Sequence, residues 1–454
     1  MAKKNVFASK AGMIAATVGS AVGLGNVWRF PAEVQQGGGA AFLLIYIACV
    51  IILGIPVMVA EFSLGRAGGS DAVTSFKNLG AKKPWWFAGG LAVLASYLIL
   101  CFYMVVAGWA LEYLWNSLNG SLYDIPSGVR LSDYFAAAMT EATASPVRPI
   151  IFTLIVIFLN LGVLLAGVTK GIERLSNILM PMLVVILIAL LVVSLNLPDA
   201  SKGLAFFLKP DFSSISATTV LSALGQAFFS LSLGMGILIT YASYFPRDAK
   251  LMRTSVTVSL LDMMVAVMMG LIIFPAVTSF GLAGESLKGA TLVFVTLPEV
   301  FARMQFSAFW SVMFFTLLTV AALTSTISIA EVSVAFVRDR IGLRRRYACL
   351  IVLLPLLVFS SLCSLSLNPD STFIIAGMPL FDFLDAVATN ILLPVVSILL
   401  CIYVGWIAPK SLLKNQLNNN GTIRSRLFVP CLFAIRFIAP VLISMVLVNY
   451  FISL

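Results

Sequence analysis

The sequence predicts an all-α membrane protein with two inverted five-helix repeats and one additional span, in which the first helix of each repeat is interrupted near the bilayer midplane. Its composition is too apolar for a soluble domain, since 60% of the residues are hydrophobic, 11% are charged and the mean hydropathy is +1.04. Apolar runs long enough to cross a bilayer recur along the whole chain. Two of them, five spans apart, are broken by glycines, which is the sequence pattern of folds built from inverted repeats.

Eleven spans follow from the apolar runs, and no long polar block divides them. We therefore expect one integral membrane domain over residues 1–454. The spans lie at residues 11–36, 40–66, 86–115, 149–168, 171–196, 217–245, 254–281, 306–338, 346–364, 378–405 and 427–452. Spans 1 to 5 form repeat one (about 11–196), spans 6 to 10 form repeat two (about 217–405), and span 11 (about 427–452) lies outside the repeats.

The charged residues predict orientation and argue against several function classes. The formal net charge is +10, but the basic residues are concentrated in alternate short loops. This distribution predicts a multi-pass protein of the inner (cytoplasmic) membrane with a cytoplasmic N-terminus and an outside C-terminus, and it gives no reason to expect nucleic acid as a partner. The chain has no histidine and no HExxH motif or nucleophile with an adjacent base, so we expect no enzyme. The six cysteines lie in or beside apolar runs, which predicts neither disulfides nor a metal cluster.

Span 1 contains the stretch GSAVGLGNVWRF at residues 19–30, which is a poor sequence for a continuous membrane helix. Gly23 and Gly25 allow the backbone to leave the helix at modest conformational cost. The N–H and C=O groups freed in this way must be satisfied by protein, ions or a polar ligand. Half-helix N-termini suit a carboxylate, whereas freed carbonyls and the side-chain oxygen of Asn26 suit a hard cation such as sodium. The alternative is that the glycines only allow close helix packing.

Spans 6 and 8 carry related polar chemistry. Span 6 is interrupted at SLSLGMG, residues 230–236. Span 8 contains AALTSTIS at residues 321–328, in which Ala321, Thr324 and Ser325 lie on one helix face. Hydroxyls and carbonyls on one face can ligate sodium. The alternative is that the span 8 hydroxyls bond to carbonyls one turn earlier or to a neighbouring helix.

Asp262, Glu61 and Glu331 are acidic residues within predicted spans whose roles bear on function. Asp262 is in the middle of span 7, where a lone charge costs about 3 kcal/mol or more. No basic residue is near it in span 7, so a bound sodium ion is the preferred partner and protonation is the alternative. For Glu61 and Glu331, a structural hydrogen-bonding role and a place on an ion path both remain open.

Three motifs, in order along the chain, carry a family resemblance. GSAVGLGNVWRFP with the following GGGAAF, FFSLSLGMGILITYASY in span 6 and ALTSTIS in span 8 resemble the motifs of the neurotransmitter:sodium symporters. The similarity is greatest to their eleven-span bacterial members, the leucine and multi-hydrophobic amino acid transporters. The resemblance implies the leucine-transporter fold and sodium-driven import of an amino acid by alternating access. It implies a small-molecule amino acid and the lipid bilayer as partners, and no obligatory protein partner.

The resemblance also implies two sodium sites and a substrate site. The first sodium site maps to Ala21, Asn26, Ser230 and Asp262. The second maps to Gly19, Val22, Ala321, Thr324 and Ser325. The substrate site maps to Ala21, Gly23, Gly25, Ile99, Tyr103, Phe229, Ser230, Ser232, Met235, Thr326 and Ile329. The hydroxyl of Tyr103 can bond a carboxylate, with core packing as the alternative role.

Three positions indicate which substrates and which ions are transported. Amine-transporting relatives have an acidic residue where this chain has Gly23, and such an acid would repel the carboxylate of an amino acid. Met235 is flexible where some relatives have a ring, which leaves room for large or aromatic side chains. We therefore expect hydrophobic L-amino acids. Asp262 stands where chloride-dependent relatives have asparagine, so we expect transport without chloride.

Gating residues are implied on both sides of the site. Arg29 is expected to close the outer path by pairing with an acid of span 10, either Asp382 or Asp385, and the spacing weakly favours Asp385. The inner latch is implied at Lys4, Phe7, Tyr244 and Asp339. The first two of these stand where relatives carry arginine and tryptophan, and this departure leaves the strength of the latch open.

Span 5 resembles a helix that unwinds during transport. Gly171 and Pro181 have nine residues between them, as in bacterial members in which the inner part of this helix unwinds to hydrate the second sodium site. Pro181 lacks an N–H and weakens the preceding turn. A plain helix start and a packed kink are the alternative.

Other transport mechanisms and other classes of membrane protein are alternatives to sodium symport. A proton-coupled or exchange carrier of the same fold would use Asp262 or Glu331 as the titrating group, and transport in sodium-free buffer would favour it. A channel would show unitary currents, and a substrate-sensing receptor would bind tightly without accumulation.

Overall fold

The computed structural model describes residues 6–80, 84–282, 289–422 and 425–453, and these ranges are mostly helical. The first half has α-helices at Lys10–Ala21, Phe30–Gln36, Ala40–Cys49, Ile55–Gly68, Ala72–Leu79, Trp86–Leu118, Leu131–Ala144, Arg148–Gly167, Arg174–Leu195 and Ala200–Leu208. Wider π-helical turns lie at Gly25–Arg29, Val50–Gly54 and Val168–Glu173, and short 3-10 turns at Ser121–Tyr123 and Phe212–Ser214.

The second half follows the same plan. Its α-helices are Ala217–Ser230, Ile237–Ala242, Leu251–Ser279, Gly289–Thr291, Leu297–Ala302, Ser307–Ile341, Arg345–Leu353, Leu356–Leu365, Leu380–Asp385, Leu393–Ile402, Lys410–Leu417, Phe428–Phe433 and Ala439–Ser453. Its π-helical turns are Leu292–Thr296, Ala386–Leu392, Tyr403–Ile407 and Ala434–Ile438, with a 3-10 turn at Asn419–Gly421. An antiparallel pair of two-residue strands, Ile374–Ile375 and Met378–Pro379, precedes span 10.

Both predicted interruptions are present. The α-helix of span 1 ends at Ala21, and the chain resumes at Gly25 after a bend of 53°. Span 6 stops at Ser230 and restarts at Ile237. Between them Ser232, Gly234 and Gly236 have positive φ angles of 54°, 79° and 73°, a backbone conformation that glycine adopts without strain.

The structure supports only part of the predicted number of spans. In the described ranges, eight helices are long and apolar enough to cross a membrane, or nine when the bent pair of span 1 is counted as one span. Span 6 is absent from this count because its two halves are short. Spans 4 and 5 together count as one stretch, Arg148–Leu195, although Gly167, with φ of 92°, separates the two helices. The chain is a multi-pass membrane protein, and eleven spans stays a prediction.

Spans 3 and 8 form the centre of the bundle. These helices, Trp86–Leu118 and Ser307–Ile341, pack against each other and are mostly buried. Spans 4 and 5 instead present exposed apolar side chains such as Phe158 and Val185, as expected of helices that face lipid. The two broken helices pack against this central pair, so the freed main-chain groups are enclosed by protein.

Candidate functional site

The break in span 1 is closed by side chains from three helices. The Gly23 N–H donates to Asn26 Oδ1 at 3.1 Å, and the Leu24 N–H donates to the hydroxyl of Tyr103 at 3.2 Å. Gln226 Nε2 donates to the carbonyl of Gly25 at 3.0 Å. The sequence predicted that backbone N–H and C=O groups leave the helix here, and the structure shows such groups. Polar side chains form hydrogen bonds with them.

The break in span 6 is held in a similar way. The Gly234 N–H donates to Glu61 Oε1 at 2.7 Å, and the Ser96 hydroxyl donates to the carbonyl of Met235. The Ser232 hydroxyl donates to the carbonyl of Ser20 at 2.8 Å. This last bond joins the two breaks directly. Of the two roles left open for Glu61, the structure shows a hydrogen-bonding one.

The residues of the first predicted cation site meet between the breaks. Asn26 Nδ2 lies 2.8 Å from Asp262 Oδ1, and the Ser230 hydroxyl donates to Asp262 Oδ2 at 2.7 Å. Tyr46, which the sequence did not single out, places its hydroxyl 3.5 Å from the same carboxylate oxygen. Ala21 ends the first half of span 1 beside them. Two hydroxyl oxygens thus lie beside one buried carboxylate, whereas Asn26 presents its amide nitrogen to it. Carboxylate and hydroxyl oxygens are ligands that hard cations prefer.

The second predicted cation site also assembles. The Ser325 hydroxyl donates to the carbonyl of Val22 at 3.3 Å, and a Cβ added at Gly19 would lie 3.4 Å from Cβ of Thr324. The Thr324 hydroxyl bonds within its own helix, to the carbonyls of Val320 and Ala321 at 3.1 and 3.0 Å. The alternative of back-bonding thus describes Thr324 in this structure, whereas Ser325 reaches across to span 1.

The predicted substrate residues are packed closely around the break in span 1. An added Cβ at Gly23 would lie 2.7 Å from Ser325 Oγ and 2.9 Å from the Tyr103 hydroxyl. Phe229 is partly buried, and the other predicted residues are buried: Ala21, Ile99, Tyr103, Ser230, Ser232, Met235, Thr326 and Ile329.

A cavity of about 400 Å³ lies on what is the outer side in the predicted orientation, and Tyr103 and Phe229 contribute to its wall. Arg29, Asp382 and Asp385 line it as well. The predicted outer pair is not formed here: Arg29 pairs with Glu33 at 3.6 Å and stacks 4.9 Å above the ring of Phe229. Asp385 Oδ1 instead accepts from the Thr389 hydroxyl at 3.2 Å. The ion pair that was expected to close the outer path is therefore absent from this structure among the described residues.

The inner side is packed shut. Phe7 lies edge-on to Tyr241 and Tyr244, and its N–H donates to the carbonyl of Tyr244 at 3.0 Å. Asp339 accepts from Arg338 Nε at 2.6 Å and from the Ser70 hydroxyl at 2.7 Å. The other predicted latch residue, Lys4, lies outside the described residues.

Two further acidic residues, Asp71 and Glu331, form hydrogen bonds with residues of this inner closure. The Asp71 N–H donates to Asp339 Oδ2 at 3.2 Å, and burial raises the pKa of the Asp71 carboxyl, although its hydrogen bonds to Thr74 oppose the shift. Glu331 accepts from both Nη groups of Arg345, at 2.8 and 2.6 Å, and from the Tyr244 hydroxyl at 2.8 Å. Glu331 is therefore ion-paired, a structural role that the sequence had left open.

Span 5 is helical where unwinding is predicted. Residues 168–173 form a π-helical turn and Arg174–Leu195 is an α-helix that continues through Pro181. Gly171 packs closely on span 4, since an added Cβ would lie 2.1 Å from the carbonyl oxygen of Val163. The structure thus favours the packed alternative for Gly171 in this conformation, and unwinding stays a prediction about another one.

Several contacts were not anticipated. Glu173 accepts from the N–H groups of Ala8 and Ser9 at 2.8 and 3.0 Å, which ties span 5 to the N-terminal segment. Gln226, Ser96 and Tyr46 satisfy the breaks and the first cation site. The available signal was that each is a polar side chain within an apolar span, where it needs a partner.

The fold and the site together define a class. Two helices interrupted at matching positions of two halves, with polar groups at both breaks and a cavity beside them, are the features of a secondary transporter that alternates access to a central site.

Comparisons with known proteins identify the family within the class of secondary transporters. The Sodium:neurotransmitter symporter family matches residues 4–125 and 134–454. The chain is 34% identical to YhdH, an uncharacterized sodium-dependent transporter of Bacillus subtilis, over 98% of this chain and 97% of that one. It is 30% identical to the sodium-dependent serotonin transporter of Drosophila melanogaster, over 88% and 68% of the two chains. The crystal structure of MhsT in complex with L-phenylalanine matches with a TM-score of 0.88 and 39% identity, over 99% of this chain and 100% of that one.

The chain belongs to the sodium:neurotransmitter symporter family. It is a sodium-dependent transporter, not an enzyme, and it has the leucine-transporter fold.

Proposed function

We propose that this protein imports hydrophobic L-amino acids together with two sodium ions and does not require chloride. The central observation is the environment of Asp262. Its carboxylate is buried and contacts Asn26, Ser230 and Tyr46, which are neutral. None of the ion pairs among the described residues includes it. A buried carboxylate without a cationic side chain favours a bound cation.

Two sodium ions are proposed because two separate groups of oxygen atoms flank the break in span 1. One group surrounds Asp262, and the other lies between the Val22 carbonyl and Ser325. Each sodium ion that moves down a membrane potential of 100 mV releases about 2.3 kcal/mol. Two ions release about 4.6 kcal/mol, enough for roughly thousandfold accumulation of a neutral amino acid.

The substrate class is supported by the walls of the site. Ile99, Met235 and Ile329, which the family resemblance assigns to the substrate site, are apolar and buried, which suits a hydrophobic side chain. At Gly23 an added Cβ would already lie within 3 Å of Ser325 Oγ and the Tyr103 hydroxyl. An acidic side chain of the kind that binds amines therefore has little room there. The related MhsT was crystallised with L-phenylalanine, and we extend that class of ligand to this chain.

Independence from chloride follows from the fixed charge at Asp262. A carboxylate supplies permanently the negative charge that a bound anion would provide next to a sodium ion. Ala266, one turn further along span 7, has no hydroxyl with which to hold an anion. The neighbours of Asp262 thus favour a cation and offer little to chloride.

In the proposed mechanism, the outer and the inner path open alternately. With the outer path open, substrate and sodium reach the breaks through the cavity that Arg29 and Asp385 line. Pairing of Arg29 with Asp385 then closes that path, and separation of Phe7 from Tyr244 opens the inner one. The two repeats rock about the site, so the cargo leaves on the other side.

The test is uptake of a panel of labelled amino acids into proteoliposomes. We expect concentrative uptake of leucine, isoleucine, valine, methionine and phenylalanine when sodium is present outside, and unchanged uptake when gluconate replaces chloride. Potassium in place of sodium is the control. Equal uptake in sodium and potassium would contradict sodium coupling and favour proton coupling, for which Asp262 is the remaining unpaired candidate because Glu331 is bound to Arg345.

A further inference from the structure

The inner end of span 10 meets span 11 at an arginine. Arg436 Nε donates to the carbonyl of Gly405, and the Trp406 indole donates to the carbonyl of Arg436 at 3.3 Å. The guanidinium carbon lies 5.4 Å from the centre of the Trp406 ring. These contacts place Arg436 level with the end of span 10, which is the cytoplasmic end in the predicted orientation.

Arg436 has no acidic partner. None of the ion pairs in the part of the chain that the structure describes includes it, and its Nη groups make no hydrogen bond there. The sequence after Asp385 contains no aspartate or glutamate, while it carries the basic residues Lys410, Lys414, Arg424, Arg426 and Arg436. A guanidinium inside an apolar span normally has a counter-charge, and this part of the sequence offers none.

Arg436 lies at the end of an apolar groove. The groove has a volume of about 900 Å³ and runs between spans 6, 10 and 11. Ile402 and Pro440, which line it, are one helical turn from Trp406 and Arg436 respectively. Further along, Val441 and Met445 line it and are about half exposed. Among the described residues no charged side chain lines the groove, and Arg436 lies one helical turn before Pro440, the first residue of span 11 in its wall.

We propose that this groove binds one anionic phospholipid, with its phosphate on Arg436 and an acyl chain along spans 10 and 11. The two free Nη groups of a guanidinium match two phosphate oxygens. Trp406 is 54% exposed, and its ring lies where aromatic residues contact the headgroup level of a bilayer. The groove is long and apolar, as an acyl chain requires.

The charge pattern favours an anionic headgroup over a zwitterionic one. An ethanolamine headgroup brings an ammonium group, and residues 386–454 contain no aspartate or glutamate side chain to receive it. Phosphatidylglycerol brings hydroxyls and a net negative charge, which the surrounding basic residues attract. This inference does not depend on the substrate or on the ions that are transported.

Native mass spectrometry of the full-length protein in mild detergent tests the proposal. The probes are phosphatidylglycerol, phosphatidylethanolamine with the same acyl chains, and glycerol phosphate as the headgroup without chains. We expect phosphatidylglycerol to be retained best and glycerol phosphate not to be retained. Arg436→Gln should lower phosphatidylglycerol retention about tenfold, since a charge-assisted bidentate contact is lost. Arg426→Gln, which removes the same charge from an exposed position, is the matched control and should change retention less than about twofold.

A second variant probes the groove without touching the guanidinium. Val441→Trp replaces a half-exposed lipid-facing side chain and should displace the acyl chain, lowering retention while the protein stays folded. The proposal is overturned if phosphatidylethanolamine is retained as well as phosphatidylglycerol, if Arg436→Gln and Arg426→Gln behave alike, or, should Arg436→Gln fail to fold, if Val441→Trp retains lipid like the parent protein.

Discussion

Glu61 of span 2 accepts a hydrogen bond from the backbone N–H of Gly234 across 2.7 Å, so a carboxylate fixes the unwound turn of span 6. Gly234 itself is in the left-handed region, with φ of 79°. An added Cβ there would lie 2.6 Å from the carbonyl oxygen of Leu393. The conformation of the break in span 6 thus depends on two things: the glycines of span 6 itself and the carboxylate acceptor that Glu61 of span 2 provides.

Removing that acceptor should destabilise the protein. Glu61→Ala leaves the Gly234 N–H unpaired in the interior, at a cost of about 1–3 kcal/mol. We expect a lower melting temperature in detergent and a loss of uptake. Glu61→Gln keeps an oxygen acceptor and is the control. If Glu61→Ala melts at the same temperature as the parent protein, the bond contributes nothing to stability.

Asp262→Asn should convert the protein to chloride-dependent transport. The substitution keeps the size of the side chain and one oxygen acceptor, but it removes the fixed negative charge next to Asn26 and Ser230 and replaces the second acceptor with an NH2 group. A mobile anion can then restore the charge balance near sodium. Uptake by the variant should be low in gluconate and should recover in chloride, while the parent protein transports equally in both. Equal uptake in the two salts by the variant would argue against this role of Asp262.

Gly25→Ala should disfavour large substrates. The added methyl group would lie 3.1 and 3.2 Å from two carbon atoms of the Phe229 ring and would push that ring into the site. We expect the KM for phenylalanine to rise about tenfold, with a smaller effect for valine. Gly162→Ala adds the same methyl group where nothing lies within 4 Å, and its KM values should match those of the parent protein. A uniform rise for both substrates would contradict a steric effect.

Tyr103→Phe should weaken amino acid binding. The Tyr103 hydroxyl accepts from the Leu24 N–H at 3.2 Å, and in the proposed complex it also donates to the substrate carboxylate. Loss of a hydrogen bond to a charged group costs about 1.5–3 kcal/mol, or about 10- to 100-fold in affinity. Scintillation proximity binding measures this directly. Tyr97→Phe, which removes a hydroxyl from the same helix outside the site, should bind like the parent protein.

Tyr244→Phe should loosen the inner closure. The variant loses the bond from the Tyr244 hydroxyl to Glu331 but keeps the ring against Phe7. We expect faster amide hydrogen exchange in residues 7–12, measured by mass spectrometry, because opening of the N-terminal segment costs less. The helix Leu131–Ala144, which lies on the other side of the membrane in the predicted orientation, serves as the internal control. Unchanged exchange in residues 7–12 would show that this bond does not hold the inner path closed.

Local sequence determined much of this protein. The apolar composition and long runs are sufficient to predict a helical membrane protein, because a bilayer leaves the backbone few other structures. The two interruptions were also readable, since Gly23 and Gly25 in one span and the glycines of residues 230–236 in another relax the local backbone. The family motifs then led to Asn26, Ser230 and Asp262, which the structure brings together.

Only the tertiary structure decided which side chains form hydrogen bonds with the backbone at the two breaks and which of the two gates is closed. Glu61 and Gly234 are 173 residues apart, and Glu173 and Ala8 are 165 apart, so no local pattern connects them. Arg29 was expected to pair with Asp385 but pairs with its helical neighbour Glu33, because the partner of a gating side chain depends on the positions of whole helices. Sequence specifies where the backbone can leave a helix, whereas the satisfaction of its freed N–H and C=O groups is a property of packing in three dimensions.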